Sequence, residues 1–266
     1  MGAQSDSCLG RDGPCRACET DEENYCPQRT DTFAAKFRNG GTSYGGYALY
    51  NRAPSHFVIK IPDGLKREYA APMLCGGATV YSPLKYFGAG PGKKVAIVGV
   101  GGLGHFGVLF AKALGVEEVV GISRKTDKRE DSLKLGCDSY IATDDDKDWA
   151  TKWQNHFDII ISTVSSAKMP FQEYVGLLTY NGTMVQVGAP ESNLSLNAFA
   201  LIPQRRRLAG SIIGSPKEIR EMLQLAADKQ IKPWVQQRPM KEANQVVVDM
   251  GDGKARYRYV LTNEEK

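Results

Sequence analysis

From residue 93 onward the apolar positions fall into blocks that alternate between two spacings. KKVAIVGV is a nearly unbroken apolar run with β-branched residues, the pattern of a strand buried in a parallel sheet. It leads directly into GVGGLGHFGVLFAKALG. There Leu103, Phe106, Leu109, Phe110, Ala113 and Leu114 recur at helical spacing, and Gly115 supplies a stop. VVGIS predicts a second strand and Lys128–Leu135 a helix. SYIA predicts a third strand, the stretch around Trp149–Trp153 a helix, and FDIIISTV a fourth strand. Met169–Leu178 reads as helix, TMVQVG as a fifth strand and LAGSIIGS as a sixth. This alternation predicts an α/β fold with a doubly wound parallel sheet.

The flanks read differently. Residues 1–72 are rich in Gly, Thr, Tyr and Pro, with short β-like runs at Gly46–Tyr50 and Phe57–Lys60, which predicts a small β-rich unit. Lys36–Gly41 carries no clear pattern. After the sheet, Pro216 opens a helix with Ile219, Met222, Leu223 and Ala226 on one face. The tail, Lys232–Leu261, returns to short strands around one helix, and YRYVL alternates as a half-buried strand does. The predicted organisation is 1–72, 73–214 and 215–266, with the last segment folding back on the first.

Composition narrows the classes. The 266 residues are 42% apolar and 24% charged with a net charge of +4, which excludes global disorder. The small excess of cations, with no basic run interleaved with aromatics, argues against a dedicated nucleic-acid binder. No stretch approaches the ~18 consecutive apolar residues of a membrane helix. The start, MGAQSDSCLG, lacks the regions of a signal peptide, and LTNEEK carries no lipidation or retention signal. A cytoplasmic chain without membrane or nucleic-acid partners is expected.

Four of the six cysteines, Cys8, Cys15, Cys18 and Cys26, fall in the first 26 residues, spaced C-x6-C-x2-C-x7-C. Disulfides or free thiols are the alternative, but no secretory signal accompanies them. A thiolate-only tetrahedral set suits structural zinc, which leaves no open position for substrate. The intervening loop has little core of its own, so a metal would order it. Cys137 reads as a small buried apolar residue.

Gly99-Val-Gly101-Gly102-Leu103-Gly104 matches G-x-G-x-x-G between a strand and a helix, the context that gives this motif meaning. Gly99 permits the tight turn, Gly101 lets backbone approach a pyrophosphate, and Gly104 permits close helix–sheet packing. At the end of the second strand, where an NAD site places Asp or Glu, stand Ser123, Arg124, Lys125, Lys128 and Arg129. A hydroxyl with flanking cations suits a 2′-phosphate, so NADP(H) is the expected cofactor; a solvated helix start is the bland alternative.

These stretches, with GAQSDSC, CRACETDEENYC, GGTSYGGYA, KIPDGL, APMLCGGATVYSPLK, STVSS, GSIIGS and YRYVL, resemble the zinc-containing medium-chain dehydrogenases. The chain is most similar to the NADP-dependent cinnamyl alcohol dehydrogenase group, fungal type. The resemblance spans the chain and implies a Rossmann domain plus a GroES-like β-rich catalytic domain. It implies hydride transfer between NADP(H) and an alcohol–aldehyde pair, with structural zinc on Cys8, Cys15, Cys18 and Cys26. The first gap is longer than the family's. Cys75 matches the third catalytic-zinc ligand. The resemblance assigns the cofactor to Thr79, Gly99, Gly101, Gly102, Leu103, Gly104, Ser123, Arg124, Lys128, Thr163, Gly188, Ser211, Ile212 and Ile213. It also implies homodimers through the edge strand LAGSIIGS.

The family's first Cys and its His-Glu pair lie upstream of the four-cysteine lobe, and no His-Glu dipeptide occurs here. The resemblance therefore implies an N-terminally shortened enzyme lacking two catalytic-zinc ligands, with unpaired sheet edges and open apolar surface in residues 1–72. His56 reads as a surface or packing residue in a Pro-bounded strand, His105 as a residue of the helix start, and His156 as exposed. The alternatives are a non-catalytic NADPH-binding protein, or a zinc-independent NADPH reductase of quinones or enones. The four-cysteine lobe and Cys75 argue against the latter.

Overall fold

Turn-forming residues break the first part of the chain into short strands that pair only two at a time. The computed structural model describes residues 2–263 and divides at 78/79 and 211/212 into two units. The first unit joins residues up to Ala78 with those from Ile212 onward. Its strands β1 (Gln4–Asp6) and β2 (Thr30–Asp31) pair antiparallel, as do β3 (Phe33–Lys36) and β4 (Thr42–Tyr44). Of Lys36–Gly41, Lys36 ends β3 and residues 37–41 form the hairpin turn to β4, with Gly40 at φ +82 and the Phe37 N–H donating to Gly41 O at 2.8 Å.

Neither expected run in this region forms a strand. After Tyr44 the chain turns at Gly45, φ +87, and Gly46–Tyr50 leaves the hairpin instead of extending it. Phe57 closes a short 3-10 turn, Ser55–Phe57, that continues into extended chain through Lys60. Phe57 and Ile59 are buried and Val58 is exposed, so the alternation is real, but among the described residues no ladder forms beside it.

The second unit, 79–211, carries one sheet of six parallel strands: β5 (Lys94–Val98), β6 (Glu118–Ser123), β7 (Ser139–Ala142), β8 (Phe157–Ser162), β9 (Leu178–Gln186) and β10 (Arg207–Gly210). Their order, β10-β9-β8-β5-β6-β7, is doubly wound about β5. Ala96, Val98, Val120, Ile122, Ile160 and Met184 form a core with Phe157, Tyr174 and Leu177. Each buried Val, Ile, Leu or Met among them contributes about 1.5–3 kcal/mol by leaving water. The helix after β5, Gly104–Ala113, ends at Gly115, φ +79. There Val116 N–H reaches Ala111 O and Gly115 N–H reaches Lys112 O, closing the last turn.

Two boundaries differ from expectation. The helix expected at Met169–Leu178 spans only Phe171–Gly176, because Leu178 already belongs to β9. Of LAGSIIGS, only the part up to Gly210 is strand. Ile213 sits at φ +42, which breaks the extended run.

In the first unit's second segment, Ser215 and Glu218 cap the helix Pro216–Asp228 reciprocally, at 3.2 and 3.0 Å. Ile219, Met222, Leu223 and Ala226 are its buried face. The strands β11 (Val235–Pro239) and β12 (Arg258–Thr262) then pair in parallel around the helix Ala243–Gly251. Among the described residues no helix is long and apolar enough to cross a membrane.

Candidate cofactor cleft and metal centre

The carboxyl ends of the parallel strands converge on one edge of the sheet, where ligands of open α/β folds bind. Gly99 follows β5 in the left-handed region at φ +88; a Cβ there would lie 2.7 Å from Thr163 Oγ1. A Cβ on Gly104 would lie 2.1 Å from Gly99 O, so only glycine lets the helix start sit this close. A Cβ on Gly101 would meet nothing within 4 Å. That open space lets an anion approach bare backbone at the N-terminus of a ten-residue helix. Thr163 braces the turn, its hydroxyl donating to Gly99 O at 2.8 Å and Val98 O at 3.1 Å.

Beside this loop lies a cleft of about 880 Å³. Gly99, Ser123, Arg124 and Lys128 line it; Trp149, Met169 and Tyr174 form an apolar wall. Arg124, Lys125, Lys128, Lys147 and Lys168 face it against Asp127, Asp144 and Glu173, so the lining is net positive. The basic segment is pinned through its backbone. Tyr140 Oη donates to Lys125 O at 2.6 Å, Asp144 N–H to Arg124 O at 2.8 Å, and Thr126 N–H to the Asp145 carboxylate at 2.9 Å. Ser123 Oγ accepts from Val100 N–H at 3.3 Å, tying the end of β6 to the glycine loop. Burial pushes the Tyr174 phenol up to about 12, so that wall stays uncharged. Gly101, Gly102, Leu103, Gly104, Thr163 and Gly188 adjoin the cleft through the loop and the strand ends, but are not part of this lining. Thr79 and Ser211–Ile213 are not part of it either.

In the first unit, the Sγ atoms of Cys8, Cys15, Cys18 and Cys26 all lie within 4.8 Å of one another. Cys8–Cys18 and Cys8–Cys26 are 3.5 Å apart and Cys15–Cys26 is 3.9 Å. Tetrahedral zinc with ~2.3 Å bonds sets sulfurs about 3.8 Å apart, so the four residues fit it. The long first gap is taken up by a loop with Leu9, Gly10 and Gly13 at positive φ. Burial pushes the Cys26 thiol up, but the N–H groups of Cys8 and Gln28 outweigh it and bring it to about 7. Gly10 N–H draws the Cys8 thiol down, yet burial and the three neighbouring thiols push it up to about 12. Arg11 closes the loop, donating to Cys8 O at 3.0 Å and to Asp6 at 2.7 Å.

Comparison with known proteins supplies the family. A model described as zinc-binding dehydrogenase matches residues 102–228. NADP-dependent alcohol dehydrogenase 6 of Saccharomyces cerevisiae is 41% identical over 271 residues, covering 100% of this chain and 73% of that protein. Cinnamyl alcohol dehydrogenase 2 of Rauvolfia serpentina is 41% identical over 253 residues, covering 94% and 70%. The chain belongs to the zinc-containing medium-chain alcohol dehydrogenases. Among solved structures, a cinnamyl alcohol dehydrogenase from Sorghum bicolor superposes with a TM-score of 0.91 at 34% identity, covering 100% of this chain and 76% of that one. The Helicobacter pylori enzyme complexed with NADP(H) gives 0.85 at 30%, covering 98% and 73%.

Within this dehydrogenase, Cys75 is exposed in a wide π-type turn, Met73–Gly77. Among the described residues, the four-cysteine set is the one group of three or more His, Cys, Asp or Glu ligand atoms, and Cys75 is outside it. The residues present do not fit a catalytic metal. The histidines are engaged elsewhere. His56 lies in the Ser55–Phe57 turn, not a strand, with Nε2 2.6 Å from the buried Glu23 carboxylate. His105 is fully buried, Nδ1 3.2–3.3 Å from the Gly102 and Gly101 carbonyls. His156 is part-buried rather than exposed, because Glu118 meets its Nε2 at 2.6 Å and Trp153 packs edge-on against it. Sequence reasoning also missed Asn24, fully buried in the metal lobe, and the Trp149–Tyr174 wall. ENY reads as polar loop, and residues around Trp149 as an ordinary helix face.

Proposed function

We propose that this chain is an NADP-dependent alcohol dehydrogenase, interconverting primary alcohols and aldehydes by hydride transfer, in the cytoplasm and as a homodimer. The observation that carries the cofactor choice is the end of β6, where Ser123, Arg124 and Lys128 face the cleft beside the glycine loop. An NAD site would carry a carboxylate at that strand end. In this reading Ser123, Arg124 and Lys128 hold the 2′-phosphate by charge-assisted hydrogen bonds. Gly99, Gly101, Gly102, Leu103 and Gly104 present backbone N–H groups to the pyrophosphate, with Thr163 and Gly188 shaping the turn behind them. Trp149 and Tyr174 keep water from the adenosine end. Thr79 meets the ring that carries the hydride, and Ser211–Ile213 line the rest of the cofactor site. When bound, NADP(H) supplies or accepts that hydride. Zinc on Cys8, Cys15, Cys18 and Cys26 is structural.

The first unit is read as a partial GroES-like catalytic domain. The dimer reading rests on β10, an edge strand of the six-stranded sheet, with Leu208 45%, Phe199 75% and Ile202 65% exposed in or near it. A second reading is a non-catalytic NADPH-binding protein, favoured by the position of Cys75, which among the described residues lies outside any group of three ligands.

The test titrates NADPH and NADH against the protein and against Ser123→Asp/Arg124→Ala. Reversal of the preference supports the cofactor assignment, and unchanged NADPH affinity overturns it. NADPH consumption with cinnamaldehyde and aliphatic aldehydes then separates the two readings: tight binding without turnover selects the second.

A further inference from the structure

Where β6 ends, the chain carries the cations that face the cleft, and its carbonyls are taken up one after another. Ser123 O accepts from Thr143 N–H at 2.9 Å and Arg124 O from Asp144 N–H at 2.8 Å, which carries the pairing of β6 and β7 beyond the strands. There the backbone partners run out, because the chain turns back and Asp145 N–H goes to Ala142 O at 3.1 Å. The third carbonyl, Lys125 O, is met by a side chain instead: Tyr140 Oη donates to it at 2.6 Å.

The two strands leave room for this reach. Tyr140 stands opposite Gly121 in the parallel register of β7 and β6. A Cβ on Gly121 would lie 3.3 Å from Tyr140 Cδ2, closer than ordinary contact, so glycine frees the space beside the ring. Tyr140 is buried and outside the cleft lining, whereas Lys125 is part of that lining. The Arg129 guanidinium, on the first residue of the helix Arg129–Leu135, sits 5.5 Å from the centroid of the Tyr140 ring. One side chain thus holds both ends of the segment 125–129. Burial pushes the Tyr140 phenol up more than the Ser123 hydroxyl draws it down, so it stays a donor at neutral pH. A carbonyl turned toward the cleft would set its negative end against a bound anion. The Lys125 carbonyl points to the phenol, and the side chains of Ser123, Arg124 and Lys128 are left to face the cleft.

We propose that Tyr140 is a positioning residue for recognition of the cofactor's 2′-phosphate: its hydroxyl fixes the Lys125 peptide and its ring the Arg129 guanidinium, so that Ser123, Arg124 and Lys128 are set before the phosphate arrives. The proposal rests on the reading of those three residues as the 2′-phosphate site. It goes further by assigning part of the cofactor selectivity to a residue outside the cleft. A site ordered in advance binds more tightly because less freedom is lost on binding. Without the hydroxyl, the Lys125 carbonyl loses its partner and the segment loosens.

The experiment titrates NADPH and NADH, which differ by the 2′-phosphate alone, against three proteins. These are the full chain, Tyr140→Phe, which keeps the ring, and a variant with 4-aminophenylalanine at position 140, which restores a donor on that ring. In Tyr140→Phe, NADPH should bind about fivefold more weakly, with NADH within about twofold of the parent. The amino variant should recover most of the loss. Unchanged NADPH affinity in Tyr140→Phe overturns the proposal. Equal weakening of both cofactors overturns it too, since a general loosening of the unit would give that result. No recovery in the amino variant overturns the role of the donor. A parent chain with no preference for NADPH overturns the reading of the 2′-phosphate site itself, whereas a preference that survives Tyr140→Phe overturns the role of Tyr140 alone.

Discussion

The two units of this chain reach order by opposite means. Residues 79–211 do so with oil: interior strands are paired on both sides, and Ala96, Val120, Ile160, Leu177, Leu178 and Met184 are fully buried. Among the described residues, the other unit has three sheets of two strands each. An isolated pair of strands is marginal in water. Phe33, Tyr44, Tyr47, Leu49 and Tyr50 are all more than half exposed there, while Gln4, Ser5, Asp6, Ser7, Glu23, Asn24 and Thr30 are buried. Where apolar burial is thin, four sulfurs and a polar network hold the chain. The lesson is that a metal can stand in for a core only over the short range of its ligand loop.

The comparison can be broken most forcefully at the metal. Cys18→Ser removes one of four ligands from a site type that contributes roughly 10–16 kcal/mol in small zinc peptides. Amide exchange of residues 4–31 should rise to near the unfolded rate, with β5–β10 still protected; loss of protection in step across both units contradicts the division. Acid should act in the same direction. The four thiols bind metal only by losing their protons, so zinc affinity should fall as pH drops. Competition with a chromophoric chelator reads this directly.

A core deletion should give the mirror image. Ile160→Ala, fully buried in β8, should destabilise the sheet unit by about 2–5 kcal/mol in urea unfolding and leave zinc affinity unchanged. The smallest effect tests an edge of the sheet. Burial raises the Asp138 carboxyl, but Val119 N–H at 2.8 Å and Lys112 at 3.1 Å outweigh it and hold it below its ordinary 3.8. Its contribution is present above that ordinary value and is lost as pH falls through the lowered one. Asp138→Asn should therefore cost under about 1 kcal/mol at neutral pH, the carboxylate being 42% exposed, and nothing in strong acid.

What was legible from residues alone follows the same division. Strands with unbroken apolar runs, KVAIV and FDIIIS, appear where expected because burial on both faces leaves a pattern no loop imitates. Cysteine spacing brought the four sulfurs together on paper, and the structure gathers them. Gly46–Tyr50 and Phe57–Lys60 failed because alternation reports which side chains face inward, not whether a neighbouring strand exists to take the backbone hydrogen bonds. Asn24 and the Glu23–His56 pair were invisible because their partners lie in remote segments, and ENY carries no period of its own. The apolar wall of the cleft was missed since Trp149 and Tyr174 sit at ordinary core positions of their helices.

The interruption of the first unit between residues 78 and 212 has a consequence for synthesis. At ribosomal rates of about 5–20 residues per second, the opening segment waits on the order of ten seconds for the chain that completes it. During that interval the inserted sheet can close on local contacts, and the cysteine loop, whose ligands all lie within 19 consecutive residues, can already capture its ion. The inserted sheet can thus order before the split unit is complete, with the metal as an early bookmark that keeps the cysteine loop in place until the second segment emerges.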